Sequence, residues 1–450
     1  MTGLTALKPY PAYKPSGVEW LGSIPAQWES RRLKYSVQST RKITYGIVQC
    51  GPDVDGGVPY IRPVDMADEA GARLADLQRT TFEIAFAYRR STVRQGDLVV
   101  SIGPSFGKVM VVTPELEGAN LTQGTARVAV ADVSDSRYLF WALRSTGTHQ
   151  EWDAATAGAT FSALTLELLS DTHVASPPLP EQRAIAAFLD RETRRIDALV
   201  EKKEWLVELL REKRAALISH AVTKGLDPNV RLKDSGIEWL GSIPEHWRVK
   251  RLAMAASKIT NGFVGPTRDI LVDGGVRYLQ SLHIKRGEIV FDKPYFVTER
   301  WSEEHAKSVL RARDVLIVQT GDLGQCAVVT PDFEGCNCHA LIIVRLKRGL
   351  GSGAYLSALL RSDYGRQALL TTKTGATLPH LECGKVRDIV VPLPSPDEQN
   401  TIMQFIDRET ARIGAMVEKV RRSVELLKEY RTALVSAAVT GKIDVRKDAV

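Results

Sequence analysis

The sequence predicts an α/β (α+β) protein in which two similar domains are separated by two long antiparallel coiled-coil helices, with an internal pseudo-two-fold repeat. Three observations carry this. Residues 16–28 (SGVEWLGSIPAQW) return as residues 235–247 (SGIEWLGSIPEHW), ten of 13 positions identical at an offset of 219. Residues 181–200 (EQRAIAAFLDRETRRIDALV) return as 398–417 (EQNTIMQFIDRETARIGAMV), 12 of 20 identical at an offset of 217. The segments that begin there carry apolar stripes with alternating four- and three-residue spacing. A period this long duplicates a whole domain, not a solenoid unit.

The chain divides in order into a lead-in segment (1–29), a variable domain (30–178), a helix (179–226), a repeated lead-in (227–249), a second variable domain (250–394), a C-terminal helix (395–443) and a tail (444–450). Short β-branched runs bounded by Gly and Pro predict strands at 97–100, 108–112, 314–318 and 340–344. Shorter helices are expected near 137–145 and 353–361. The two variable domains are related through TPELEGAN (113–120) and TPDFEGCN (330–337), and Asp97, Gly107 and Thr160 align with Asp314, Gly324 and Thr377.

In the first long helix the stripe holds Ile185, Leu189, Ile196, Leu199, Leu206, Leu210 and Leu217; in the second, Ile402, Ile406, Ile413, Met416, Val420, Leu427 and Leu434. Two matched stripes predict that the helices pack on each other, antiparallel, with each helix lying on its own domain as the alternative. Ser395-Pro396-Asp397-Glu398 reads as a capping box with Pro at the first helical position, and Gly225 and Gly441 read as helix ends. A helix of about 40 residues spans roughly 60 Å. The lead-in tryptophans Trp20, Trp28, Trp239 and Trp247 read as core anchors, not base-stacking groups. Each lead-in then braces its domain against a helix end, residues 16–28 lying near the end of the second helix.

The 450 residues carry 60 basic and 53 acidic side chains, a formal charge of +7 that permits nucleic-acid binding without requiring it. No apolar run approaches a membrane span and the N-terminal segment has no signal-peptide core. Five cysteines, odd in number, suit a reducing, cytoplasmic setting.

The repeated SG(V/I)EWLGSIP..W segment, Pro180-Glu181-Gln182 with Asp397-Glu398-Gln399, Phe188 with Phe405, the two Asp-Arg-Glu-Thr runs (190–193 and 407–410) and the Ala-Val-Thr helix ends (221–223 and 438–440) together resemble the DNA-specificity (S) subunits of type I restriction–modification systems. The resemblance runs from about Tyr10 to Ile443. It implies two target-recognition domains, each reading one half of a bipartite, asymmetric site in double-stranded DNA. It also implies helices that dock two methyltransferase (M) subunits and endonuclease/translocase (R) subunits. The chain itself would be non-catalytic and hold no cofactor; S-adenosylmethionine, ATP and Mg²⁺ would belong to the partner subunits. The alternative is a structural coiled-coil scaffold that binds proteins and has no DNA specificity.

Affinity for DNA comes mostly from cations on phosphates, and specificity from base-edge contacts, with Arg suited to guanine and Asn or Gln to adenine. Candidate contacts in loop-like settings are Arg41, Lys42, Tyr45, Arg62, Ser105, Lys108, Gln123 and Arg127 in the first domain. In the second they are Lys258, Asn261, Arg277, Gln280, His283, Lys285, Gln319, Asp322, Gln325 and His339. Catalytic readings fit poorly. Gly103–Val109 is one residue short of a phosphate-binding loop and lacks its hydroxyl. Cys336-Asn337-Cys338-His339, with Cys326 nearby, has no usual zinc spacing. No Asn/Asp-Pro-Pro-aromatic methyltransferase loop, nuclease motif or Ser/His/Asp arrangement is present in the sequence. No metal is expected.

Overall fold

The computed structural model describes residues 8–67, 71–157, 163–375 and 379–446. It divides into two compact units: 1–203 with 422–450, and 204–421. Each unit thus holds one variable domain and parts of both long helices, Leu179–Lys224 and Pro396–Val439. The aligned Thr160 and Thr377 lie outside the described residues.

The first unit is built on a four-stranded antiparallel sheet in the order Thr44–Tyr45, Thr125–Val128, Leu98–Ser101, Val109–Val111. Alternation along the central strand sends Leu98 and Val100 to one core and Val99 to another. The first core packs on helix Ser136–Leu143, with Tyr138, Phe140 and Trp141, and on the long helices. The second is closed by Val58–Ile61, which pairs antiparallel with Arg79–Thr80 and parallel with Asn120–Leu121.

The second unit repeats this plan: Ala256–Asn261, Leu341–Leu346, Val315–Val318, Cys326–Val328 in the same order, with Val276–Leu279 between Phe296–Val297 and Asn337–Cys338. Val315 and Ile317 enter one core, Leu316 and Val318 the other. All four predicted strands are present within a residue or two, and the helix expected at 353–361 is Gly353–Arg361.

The repeated motifs are the joints between domain and helix. Gln182 Oε1 accepts from the amide of Asp135 and its Nε2 donates to the Pro177 carbonyl, tying the helix start to the small helix on the sheet. Gln399 does the same with Ser352 and Pro394. Tyr138 donates its hydroxyl to the carbonyl of Ala175 (2.7 Å) and lies 3.2 Å from that of Val439; Tyr355 faces Pro392 and Val222 in the same way. The Ala-Val-Thr ends of both helices therefore supply acceptors to buried tyrosines. Burial pushes both phenols well above their ordinary pKa.

Inside the first unit the helix segments run antiparallel. Arg446 reaches Glu181 at the start of one helix from beyond the end of the other, and Arg431 pairs with Asp197 at 2.9 Å. The same holds inside the second, where Gly225, ending the first helix, abuts Trp247, which donates to Glu398 at the start of the second. Gly225 and Gly441 adopt the left-handed conformation expected of helix ends. Ser395 caps the amide of Glu398, but the Glu398 carboxylate turns to Trp247 and His246 instead of completing a capping box.

Ile185, Leu189, Ile196, Leu210, Ile402, Ile406, Ile413 and Leu434 are buried as the stripe requires, and Leu217, Val420 and Leu427 are half-buried. Leu199, Leu206 and Met416 are not: they are exposed, and the neighbouring Val200, Val207 and Val417 turn inward. The cause is a seam that takes the fourth residue after Ile196, Lys203 and Ile413 rather than the third. Both registers place an apolar residue there, so spacing alone did not separate them.

Trp28 and Trp247 are fully buried anchors, and Tyr13 donates to the Gly441 carbonyl, placing the first lead-in at the end of the second helix. Trp20 and Trp239 differ. Trp20 lies against Gly147, where any Cβ would clash with its ring. The position 217 residues later is Tyr364, whose buried ring occupies its own core and whose hydroxyl donates to Val390; Trp239 is 53% exposed. Trp239 is therefore not a core anchor.

Candidate nucleic-acid interface

The glycine turn Gly103–Gly107 joins two paired strands. The amides of Gly107 and Lys108 donate to the carbonyl and hydroxyl of Ser101, and Ser101 donates to the Ser105 carbonyl. These contacts close the turn on the end of its own strand, and Ser105 sits exposed at its tip. Lys108, also exposed, reaches the Pro63 carbonyl, and Gln123 is exposed on the adjoining loop. Tyr45 is half-buried on the sheet's edge strand. Arg62 is held by both carboxylate oxygens of Asp65 and by Gln78, and the hydrogen bonds to Asp65 raise its pKa further. Arg41 forks onto buried Asp97 at 2.9 and 2.5 Å, and Lys42 beside it is exposed.

Arg127 is not a base reader. It is only 4% exposed, and its guanidinium donates to the carbonyls of Arg90, Thr92 and Lys42. Burial, with Arg41 and Arg94 nearby, lowers its pKa to about 10.

In the second unit His283 is likewise reassigned. It is fully buried, its Nδ1 accepting from the Gln280 amide and its Nε2 facing the Lys293 carbonyl, and desolvation lowers its pKa. Gln280 caps the same turn. Lys285 pairs with Asp292, and Lys258 donates to the Lys307 carbonyl. Arg277 lies exposed over Phe291 and Phe333. Asn261 and Gln319 each hold a buried amide oxygen with no partner among the described residues. Asp322 is exposed on the equivalent hairpin turn, with Gln325 half-buried beside it. His339 stands among Phe263 and Tyr278.

Cys326 and Cys338 point into different cores, each with a backbone carbonyl as its sulfur's acceptor. Among the described residues no group of three or more His, Cys, Asp or Glu could hold a metal ion, and no helix is long and apolar enough to cross a membrane.

Residues 28–208 match the family model described as the type I restriction modification DNA specificity domain. Over that segment the chain is similar to the type I DNA-specificity subunits. It is 22% identical over 437 residues to the EcoBI specificity subunit of Escherichia coli, covering 95% of this chain and 88% of that protein. It is 21% identical over 445 residues to the MjaIX specificity subunit of Methanocaldococcus jannaschii, covering 95% and 96%. In fold it is similar to a chain solved in a study of the complex assembly and conformational transition of the type I R-M system, with a TM-score of 0.69, 16% identity, and 93% and 99% of the two chains covered. It is also similar to the HsdS subunit from Thermoanaerobacter tengcongensis, with a TM-score of 0.58, 17% identity, and 93% and 98% covered.

The sequence reading passed over one group. Arg89, Arg90 and Arg94 line a single concavity with Arg41, Lys42 and Arg127. The run AYRRSTVR (87–94) was the available signal: four basic or aromatic side chains in eight residues, next to a predicted strand.

Proposed function

We propose that this chain is the DNA-reading, non-catalytic subunit of a type I methyltransferase/endonuclease complex, each unit reading one half of an asymmetric two-part site. The observation that carries this is the duplication itself: one sheet topology, joined to the helices through the same Gln, Tyr and Ala-Val-Thr contacts, bears two different surfaces. Conserved joints with divergent faces suit a frame whose two ends are selected for different sequences. The methyltransferase partner would supply S-adenosylmethionine chemistry at adenine N6, and the endonuclease partner ATP- and Mg²⁺-dependent translocation and cleavage.

The methyltransferase docks on apolar side chains that the helix seam leaves outside. In the second unit these are Trp205 (65% exposed), Leu206 and Met416; in the first, Leu199 and Leu426. Large exposed apolar groups on otherwise charged helices mark partner contacts, and a buried interfacial Trp is often worth about 2 kcal/mol or more. Trp205→Ala with Leu206→Ala is expected to abolish co-purification with the co-expressed methyltransferase while leaving the thermal unfolding of the chain unchanged. Co-purification at wild-type yield would remove these residues from the docking surface. The chain alone, given labelled S-adenosylmethionine and DNA, is expected to transfer no methyl group.

A further inference from the structure

We propose that the basic concavity of the first unit, between residues 39–44 and 89–94, clamps a backbone phosphate of double-stranded DNA, and that its counterpart in the second unit does not. This rests on the DNA-reading function proposed above. The concavity, about 570 Å³, is lined by Arg41, Lys42, Arg89, Arg90, Arg94 and Arg127, with no carboxylate in its lining.

Two of these cations build the floor. Arg41 is neutralised by Asp97, and Arg127 is buried with its Nε lacking any partner among the described residues. Arg89 lies over the ring of Phe86. Lys42, Arg90 and Arg94 are exposed and make no ion pair among the described residues. Like charges gathered around a desolvated guanidinium repel, and an anion relieves that repulsion; burial already depresses the Arg127 pKa. Guanidinium forks match phosphate oxygens. Six cations against one carboxylate exceed what a single free phosphate would neutralise, which favours a polyanion.

The second unit holds a concavity of about 450 Å³ at the same place in its fold, lined in part by Lys258, Arg311, Arg345, Glu299 and Glu303. By strand register Lys42 matches Lys258, and at the offset of 217 Arg90 and Arg94 match Lys307 and Arg311, whereas Arg89 becomes Ala306 and Phe82 and Phe86 become Glu299 and Glu303. Arg345 is neutralised by Asp314. Two phenylalanines, both exposed in the first unit, are thus replaced by two carboxylates that repel a phosphate.

The test uses the full chain and two mixed-sequence duplexes of unrelated sequence, titrated at several salt concentrations. Lys42→Ala/Arg90→Ala/Arg94→Ala is expected to weaken binding to both duplexes equally, on the order of 10-fold, and to flatten the slope of log K against log salt by about 1 to 3. Phe82→Glu/Phe86→Glu, which keeps every cation, is expected to weaken both in the same direction. Wild-type slopes in the triple variant would overturn the clamp while leaving DNA reading intact; loss on one duplex only would make these residues base readers and also overturn it. Stabilisation of the wild type by inorganic phosphate at constant ionic strength, with unchanged DNA binding by the variant, would assign the site to free phosphate instead. A wild-type chain that binds neither duplex overturns the DNA reading and the clamp together.

Discussion

Replacing Trp247 with Ala is expected to destabilise the second unit by about 3–5 kcal/mol, the range for removing a fully buried large aromatic side chain. Trp247 fills the junction between the second lead-in and both helix ends: Gly225 abuts its ring, and its indole donates to Glu398 at 2.9 Å. Trp28 occupies the matching place in the first unit, against Gly441 and edge-on to Tyr10, but its indole nitrogen has no partner among the described residues. Phe should therefore be tolerated better at 28 than at 247, where it also removes a hydrogen bond to a carboxylate, worth about 1.5–3 kcal/mol. A chain with two units does not unfold as a single two-state system, so the measurement is hydrogen exchange followed peptide by peptide. Trp247→Ala should raise exchange in 204–421 first. Equal loss of protection in both units, or none, would contradict the assignment.

The second large effect is expected at the buried carboxylates. Asp314 is 1% exposed and takes a two-pronged ion pair from Arg345, both contacts at 2.7 Å. Asp97 is equally enclosed but takes its pair from Arg41. The partner has moved: by strand register the position equivalent to Arg345 in the first unit is Ala129, and Lys258 matches Lys42, the residue after Arg41. Each carboxylate also accepts a turn amide, Arg94 or Arg311, so the acid is retained while its cation is drawn from a different segment of the chain. Arg345→Met leaves a charge buried without its partner and is expected to cost about 3–5 kcal/mol. Arg345→Met with Asp314→Asn keeps the turn acceptor, removes the orphaned charge and should recover most of the loss. A double variant as unstable as the single one would show that packing of the Arg345 side chain, not charge, sets the cost.

The duplicated frame was legible because its joints are short and their chemistry is strict. A Gln that must bridge a loop amide and a carbonyl, or a Gly at a left-handed helix end, tolerates few replacements, and so the motifs around 182, 225, 399 and 441 survive side by side. The helix seam was legible only to within one residue, because Leu199-Val200, Leu206-Val207 and Met416-Val417 offer an apolar side chain in either register. The candidate DNA contacts were the least legible. Residue type does not report burial, and Arg127 and His283 are polar groups committed to backbone partners inside the domain. Trp239 failed for a different reason. Its twin Trp20 depends on a glycine 127 residues away in sequence, and only the fold shows that the matching glycine has become Tyr364.

The central claim, that the two divergent domains read the two halves of one DNA site, is tested most directly by single-molecule methylome sequencing of the source strain. The strain is compared with a deletion of this gene, and with a replacement of residues 30–178 by the corresponding domain of a type I specificity subunit. Deletion is expected to erase one asymmetric, two-part adenine-methylation motif, and replacement to change one half of that motif while keeping the other. An unchanged methylome in a strain that expresses an active partner methyltransferase, or a replacement that alters both halves, would contradict it.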